Sequence, residues 1–325
     1  MKIAINGLGR IGRMTLRALQ NKLGVEVVAI NDLTDIRTLA HLLKYDTVHG
    51  KFPGEIRIDG NDIVIDNRPI RLLCEKDPSK LPWGELGIDA VIESTGRFTS
   101  KALAEAHLHA GAKKVLISAP AGTDVKTIVH GINNELIGGD SIYSTASCTT
   151  GGIAPILYAL DKEYGIESGY IATVHAFTSD QNLQDLPHRD LRRARAASLN
   201  IIPSTTGAAK AIGDVLQNLK GRLDGHSYRV PVANGSIVDL SINLKKEVSV
   251  TDLNMMLKRY AAGPLKGIME YTEEELVSSD IIGNPHSSIV DASMTRSIGK
   301  MVKVVAWYDN EIGISNRISE LIALI

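Results

Sequence analysis

Over the first 147 residues, short apolar runs typical of β-strands alternate with segments that have the spacing of amphipathic helices. This alternation predicts a parallel sheet whose strands are joined by crossover helices. Three further runs, at residues 55–59, 62–66 and 70–75, are separated by turn-forming residues, so we expect them at the edge of this sheet. The main predicted strands comprise residues 2–6, 25–30, 89–94, 114–118 and 127–131.

After Cys148 the strands become longer, which favours a second domain of α+β type with an antiparallel sheet. We predict an α/β protein with a first domain at residues 1–147, a second domain at 148–312 and a C-terminal helix at 313–325 that returns to the first domain. The elements predicted after Cys148 are helices at 152–163, 206–219, 251–262 and 315–324, and strands at 169–177, 227–232, 236–244 and 301–308.

Composition narrows the class of protein. Hydrophobic residues make up 44% and charged residues 22%, and no run approaches the roughly 18 apolar residues of a membrane helix, so we expect a soluble protein. The chain has 36 Lys and Arg residues and 37 Asp and Glu residues, so its net charge is too small to attract nucleic acid or anionic membranes. Two cysteines are too few for a disulfide framework or a cysteine-only zinc site, and no metal is expected. The N-terminus runs directly into the first predicted strand without an export signal, which favours a cytoplasmic location.

A glycine-rich turn follows the first predicted strand. Residues 7–12 read Gly-Leu-Gly-Arg-Ile-Gly and open a predicted helix, and Asp32 lies 20 residues beyond Gly12 at the end of the second strand. This is the fingerprint of a Rossmann doubly wound parallel sheet that binds a dinucleotide with its pyrophosphate on the helix N-terminus. The Asp32 carboxylate would bind the ribose hydroxyls and repel a 2′-phosphate, so NAD is favoured over NADP.

Cys148 is the candidate nucleophile. It lies among hydroxyl residues and glycines just before a predicted helix, and a helix N-terminus stabilises a thiolate, so we expect a lowered thiol pKa. The same backbone N–H groups could stabilise an oxyanion. Cys74, within an apolar run, is interpreted as a buried cysteine. A histidine base is expected at neutral pH, but spacing alone does not select His175 from the nine histidines.

Taken together, the motifs of this chain resemble the phosphorylating, glycolytic glyceraldehyde-3-phosphate dehydrogenase family over essentially the whole length. The resemblance implies that Cys148 is the nucleophile, that His175 is its base, and that NAD accepts the hydride. The implied reaction converts D-glyceraldehyde 3-phosphate and inorganic phosphate into 1,3-bisphosphoglycerate through a thioester on Cys148. The residues that carry the resemblance are 5–13, 29–32, 94–98, 146–150, 191–197, 200–203, 206–211, 229–231 and 307–311.

The same resemblance implies three groups of binding residues and a homotetramer. In such a tetramer, the polar segment at residues 177–200 would pack against a neighbour's cofactor site. For the cofactor, the matching residues are Gly9, Arg10, Ile11, Asp32, Thr95, Gly96 and Asn310. For the substrate phosphate they are Thr178, Asp180 and Arg229, and for the attacking phosphate Ser147, Thr149, Arg193, Thr206 and Gly207.

Four positions depart from the usual family pattern, namely Thr145, Gly151, Ser179 and Ile314. Several alternatives therefore stay open: an erythrose-4-phosphate dehydrogenase, a homologue that uses arsenate, and a catalytically silent NAD-binding homologue. The basic cluster at residues 188–195 raises RNA binding as a further alternative, but the near-neutral charge and the lack of interleaved aromatic residues argue against nucleic acid as the main partner.

Overall fold

The computed structural model describes residues 1–20 and 22–325, which form two compact units. The first unit comprises Met1–His130, Asn134–Ala146 and Ser315–Ile325. The second unit comprises Gly131–Asn133 and Ser147–Ile314. No helix in the described part of the chain is long and apolar enough to cross a membrane.

The first unit is built on a mostly parallel sheet, in which nine strands are seen among the described residues. Their order is β3-β4-β5-β2-β1-β6-β7-β9-β8, and antiparallel pairing is confined to β3, β4 and β5 at one edge. The strands are β1 (Lys2–Asn6), β2 (Glu26–Asn31), β3 (Ile56–Asp59), β4 (Asp62–Ile65), β5 (Arg68–Leu73), β6 (Ala90–Glu93), β7 (Lys114–Ile117), β8 (Lys126–Thr127) and β9 (Ile142–Ser144). The helices are α1 (Arg10–Leu19), α2 (Ile36–Lys44), α3 (Trp83–Leu86) and α4 (Lys101–His109), with short 3₁₀ turns at Pro78–Lys80 and Asn134–Leu136.

The second unit is built on a mainly antiparallel sheet, in which seven strands are seen among the described residues. Their order is β11-β12-β10-β13-β16-β15-β14, with parallel pairing between β10 and β12 and between β14 and β15. The strands are β10 (Ile166–Ala176), β11 (Ile202–Thr205), β12 (Leu223–Val230), β13 (Ser236–Leu244), β14 (Met269–Thr272), β15 (Ser288–Ile298) and β16 (Met301–Tyr308). The helices are α5 (Cys148–Tyr164), α6 (Ala208–Val215) and α7 (Val250–Ala262), with a 3₁₀ turn at Gln217–Leu219. A last helix, α8 (Ile312–Leu321), begins in this unit and belongs to the first unit from Ser315 onward.

Local sequence explains where several helices begin. Asp35, Ser100, Ser147 and Ser249 each accept a hydrogen bond from a backbone N–H in the first turn of the helix that follows. Such N-caps satisfy donors that the helix itself cannot pair. Ser147 in particular makes Cys148 the first residue of α5.

The predicted fold class is confirmed, including the antiparallel strands at the edge of the first sheet. Several elements differ from the prediction. The strands β9, β11, β14 and β15 were not predicted, and the helix expected at residues 206–219 is only Ala208–Val215, followed by a 3₁₀ turn. Cys74, interpreted as a buried cysteine, is exposed.

The strand expected at residues 127–131 is only Lys126–Thr127, because its neighbour β9 ends at Ser144, the residue paired with Thr127. The helix expected from residue 152 already begins at Cys148, because the Ser147 cap stabilises a first turn that contains Gly151.

Candidate active site

In the first unit, the turn between β1 and α1 has no room for a side chain at two of its glycines. Gly7 has a φ of 94°, and a Cβ there would lie 2.8 Å from the backbone nitrogen of Thr95. A Cβ on Gly12 would lie 2.1 Å from the carbonyl oxygen of Gly7. A side chain at either position would push apart the first turn of α1 and the strand ends beside it. At Gly9 no described atom lies within 4 Å of the Cβ position, so a ligand can approach the backbone there.

A cleft of about 280 Å³ lies at the carboxyl ends of β1, β2 and β6. This is where doubly wound sheets bind dinucleotides. The Asp32 carboxylate accepts hydrogen bonds from the N–H groups of Leu8 (2.7 Å) and Thr34 (2.9 Å), which fix its orientation. Each of its oxygens still has a lone pair for a ribose hydroxyl. Three of the predicted cofactor residues line the cleft, namely Gly9, Asp32 and Thr95.

Arg10, one of the predicted cofactor residues, has a side chain that pairs with an acidic residue of the same unit. It pairs with the buried carboxylate of Asp46, which follows α2. Burial opposes the charge of Asp46, but hydrogen bonds from Arg10 and from the N–H groups of His49 and Val48 outweigh it and hold the pKa of this carboxyl well below its usual range. The backbone of Arg10 at the start of α1 is a candidate cofactor contact.

In the second unit, the sulfur of Cys148 lies 3.4 Å from Nε2 of His175. Cys148 is the first residue of α5, and His175 is the next-to-last residue of β10, 27 positions further along the chain. Nδ1 of His175 lies 2.7 Å from the carbonyl oxygen of Ala176 and 2.9 Å from Nη1 of Arg229. In the tautomer that carries its proton on Nδ1, Nε2 is an acceptor that faces the thiol. The pair thus has the geometry of a nucleophile and its general base.

Burial favours the uncharged form of both members of this pair. Burial, reinforced by the positive charge of Arg229, lowers the pKa of His175 to about 3. Burial also raises the pKa of the Cys148 thiol, although Arg229 and hydrogen bonds from Thr149 favour the thiolate. The expectation of a lowered thiol pKa was wrong, because it considered the helix N-terminus and not the loss of water around the sulfur.

Four charged or hydroxyl residues beside the pair form one hydrogen-bonded group. Nη1 of Arg229 lies 2.9 Å from Nδ1 of His175 and donates to the Thr178 hydroxyl at 3.2 Å. Asp180 accepts hydrogen bonds from Thr178 and from Arg193. Burial opposes the negative charge of Asp180, but the Thr178 hydroxyl and both arginines outweigh it and lower the pKa of this carboxyl. The structure thus brings together Thr178, Asp180, Arg193 and Arg229, two of which are cations suited to phosphate.

The other predicted phosphate ligands lie at the starts of two helices. The Ser147 hydroxyl caps α5, and Thr206 and Gly207 precede α6, which packs against α5. The Thr149 hydroxyl is hydrogen bonded to the hydroxyl of Tyr308 at 3.0 Å. Sequence reasoning missed Tyr308, although the residue lies within the motif at 307–311, because its contact joins positions 159 residues apart.

Asn310, the remaining predicted cofactor residue of the second unit, follows β16 and is buried. Its Oδ1 accepts a hydrogen bond from the Ser236 hydroxyl at 2.9 Å, and that hydroxyl also accepts the N–H of Ala176. Asn310 is therefore tied through Ser236 to the strand that carries His175.

A dinucleotide fold in one unit, together with a cysteine and histidine pair beside two arginines in the other, is typical of an NAD-dependent aldehyde dehydrogenase with a cysteine nucleophile. Comparison with known proteins identifies the family. The NAD-binding domain of glyceraldehyde 3-phosphate dehydrogenase matches residues 1–101, and the C-terminal domain of the same enzyme matches residues 147–310. The chain belongs to the glyceraldehyde-3-phosphate dehydrogenase family.

Full-length relatives agree with this assignment. Glyceraldehyde-3-phosphate dehydrogenases of Kitasatospora aureofaciens, Geobacillus stearothermophilus and Mycolicibacterium smegmatis are 54%, 53% and 52% identical to this chain. Each alignment covers 100% of the chain and 98% of the relative. The predicted family, enzyme class and NAD cofactor are thereby confirmed.

Proposed function

We propose that this chain oxidises D-glyceraldehyde 3-phosphate with NAD and inorganic phosphate to 1,3-bisphosphoglycerate. The observation that carries the proposal is the hydrogen bond between Cys148 and Nε2 of His175, with Arg193 and Arg229 in the same unit. A thiol with a base supports covalent catalysis, and two arginines beside it suit a substrate that carries phosphate. NAD, when bound, supplies the hydride acceptor.

His175 moves protons in each step. It accepts the thiol proton as the sulfur of Cys148 adds to the aldehyde carbon, and it returns that proton to the new oxyanion, which gives a hemithioacetal. It then holds the proton of the hemithioacetal hydroxyl as that carbon loses a hydride and becomes a thioester. Attack by a phosphate oxygen on the thioester carbon expels the thiolate, to which His175 returns a proton.

The amino end of α5 supports these steps electrostatically. Cys148 begins this helix, so the N–H groups of its first turn lie beside the sulfur, where an oxyanion develops during addition and phosphorolysis. We assign the substrate phosphate to Thr178, Asp180 and Arg229, and the attacking phosphate to a second set of residues. That second set comprises Ser147, Thr149, Arg193, Thr206 and Gly207.

For the cofactor we assign the backbone of Gly9, Arg10 and Ile11 to the pyrophosphate, and Asp32 to the adenosine ribose. Thr95 and Gly96 would border the nicotinamide half, and Asn310 would bind its carboxamide.

We further propose a cytosolic homotetramer. Several large apolar side chains between residues 183 and 201 are more than half exposed in the single chain, which supports burial against a neighbouring copy. These side chains are Leu183, Leu186, Leu191, Leu199 and Ile201. Light scattering coupled to size-exclusion chromatography would give the mass, and a monomer of about 35.1 kDa would contradict the assembly.

The activity is tested by NADH formation from purified protein with glyceraldehyde 3-phosphate and NAD. Parallel reactions contain phosphate, arsenate or neither, and Cys148→Ser is the matched control. We expect a sustained rate that requires one of the oxyanions and is lost in Cys148→Ser. Preference for erythrose 4-phosphate with no need for phosphate would indicate the sister activity. Absence of NADH from both sugars would indicate a silent homologue.

A further inference from the structure

A row of buried polar side chains lies beneath the turn at residues 94–98 of the first unit, and no step of the proposed reaction uses it. Glu93, the last residue of β6, is 1% exposed. Behind it lie His107 of α4 and Trp83 of α3, both 0% exposed. A buried carboxylate costs free energy unless hydrogen bonds satisfy it, so its position in a fold calls for a physical reason.

The protonation of His107 follows from its neighbours. Nε1 of Trp83 lies 3.0 Å from Nδ1 of His107, and an indole N–H can only donate. Nδ1 is therefore an acceptor, and the ring proton is on Nε2, which lies 3.1 Å from Oε2 of Glu93. Trp83 thus holds His107 as a neutral donor to the carboxylate, because a second ring proton would face the indole N–H.

Glu93 accepts four hydrogen bonds, two at each oxygen. Oε2 accepts from His107 and from Nδ2 of Asn6 at 2.6 Å. Oε1 accepts from the N–H of Thr95 at 2.8 Å and from the Thr95 hydroxyl at 2.5 Å. Four donors leave no lone pair for a carboxyl proton, so the geometry is that of an ionised carboxylate.

The far side of this network is the cofactor cleft. The Thr95 hydroxyl also accepts the N–H of Arg97 at 3.1 Å, and the Ser94 hydroxyl donates to the carbonyl oxygen of Gly7 at 2.7 Å. Thr95 and Gly7 both line the cleft. Residues that follow β6 belong to the second half of the dinucleotide fold, the half opposite the acidic residue that binds the adenosine ribose.

We infer that His107, held in one tautomer by Trp83, is a positioning residue for NAD: through Glu93 it fixes the Thr95 turn that lines the cofactor cleft. The network reaches the adenosine side as well, since Oδ1 of Asn6 accepts from Nδ2 of Asn31 at 2.7 Å, next to Asp32. The inference rests on the proposed use of NAD. It assigns a task to buried residues that touch neither cofactor nor substrate.

The test compares His107→Phe, which removes the donor, with His107→Gln, whose amide can still donate to Glu93. NAD affinity is measured by calorimetric titration, and KM for NAD and kcat by NADH formation. We expect Kd and KM of His107→Phe to rise about tenfold, which corresponds to about 1.4 kcal/mol, the lower end for a hydrogen bond to a charged group. The kcat should stay within about twofold, and His107→Gln should recover most of the affinity.

Trp83→Phe is a second variant, which keeps an aromatic ring and removes the indole donor together with part of the buried ring volume. Because His107 can then adopt the other tautomer, we expect a smaller rise in Kd with kcat again unchanged. In the double variant Glu93→Gln and His107→Phe, the loss of NAD affinity should not exceed the loss in the weaker-binding single variant, because His107 acts through Glu93.

Val91→Ala is the matched control, since Val91 packs in the same core cluster as Trp83 and belongs to no step of this network. It should lower the thermal midpoint without raising KM for NAD. Equal KM increases in Val91→Ala and His107→Phe, or equal losses in His107→Gln and His107→Phe, would overturn the inference and leave the network as core support. A wild-type protein that binds no NAD would overturn the proposed function itself, so the two failures are distinguishable.

Discussion

At the scale of single residues, the reactivity of the site depends on the charges that surround His175. Arg229 lies against Nδ1 and lowers the pKa of this ring, and the same cation favours the thiolate of Cys148. A substrate phosphate on Arg229 would offset that positive charge, and the imidazole would become a better proton acceptor. Binding of the phosphorylated substrate would thus raise the basicity of His175, the residue that accepts the thiol proton.

Replacing Arg229 by Gln tests this electrostatic coupling. Alkylation of Cys148 by the neutral reagent iodoacetamide requires the thiolate, so its rate rises with pH as the thiol deprotonates. Without the cation the thiolate is less favoured, and we expect the rise to begin at higher pH and the rate at pH 8 to fall several-fold. Arg222→Gln is the control, because Arg222 donates instead to the carbonyl oxygen of Ile166. An unchanged profile in Arg229→Gln would contradict the coupling.

The nucleophile could be predicted from its own neighbourhood, but its partners could not. Cys148 is followed by a helix, and that signal is local. His175 reaches it from β10, and Arg229 joins them only because β10 and β12 pair in register, with His175 opposite Arg229. No pattern in the sequence encodes that pairing, so only the family resemblance could nominate both residues.

At the scale of elements, the helix that begins with Cys148 shows how packing overrides propensity. Gly151 and Gly152 disfavour a helix in the sequence, yet both lie within α5. Gly152 fits where a side chain would be crowded, because its Cβ would lie 3.3 Å from the carbonyl oxygen of Ser287 and 3.4 Å from the ring of Tyr308. Tertiary contacts of this kind are invisible to a reading of helix propensity.

The two glycines should respond oppositely to alanine. No described atom lies within 4 Å of the Cβ position of Gly151, so Gly151→Ala should raise the free energy of unfolding by about 0.5–1 kcal/mol through helix propensity. Gly152→Ala should lower it, because the new methyl group is crowded on two sides. Chemical denaturation measures both, with the alkylation rate of Cys148 as a check on the site. A loss of stability in Gly151→Ala as large as in Gly152→Ala would contradict this assignment.

At the scale of the whole molecule, the alternation of strands and helices predicted the first sheet well, because parallel strands joined by helices leave a strong periodic signal. The second sheet was less predictable. The eleven residues of β15 include polar positions such as Asp291, Ser293 and Thr295, so this strand has no clean apolar alternation. It forms because β14 and β16 supply its hydrogen bonds from either side.

The end of the chain belongs to both units. The helix α8 begins at Ile312 in the second unit, and from Ser315 onward the chain belongs to the first. Within this last part Ile318 and Ile322 are 0% exposed, whereas Leu324 is 49% exposed. The core of the first unit therefore includes side chains from residues 315–325, which lie far along the chain from the rest of that unit.

Replacing both Ile318 and Ile322 by Ala should destabilise the first unit. Each truncation of a buried isoleucine costs about 2–5 kcal/mol, so the pair removes a large part of the 5–15 kcal/mol that stabilises an ordinary domain. The double variant should lose NAD affinity, since the cofactor cleft lies in this unit, and excess NAD should restore part of the lost thermal midpoint by mass action. Leu324→Ala, at an exposed position of the same segment, is the control and should leave both properties unchanged. If the double variant keeps wild-type NAD affinity and thermal midpoint, the C-terminal segment does not support the core of the first unit.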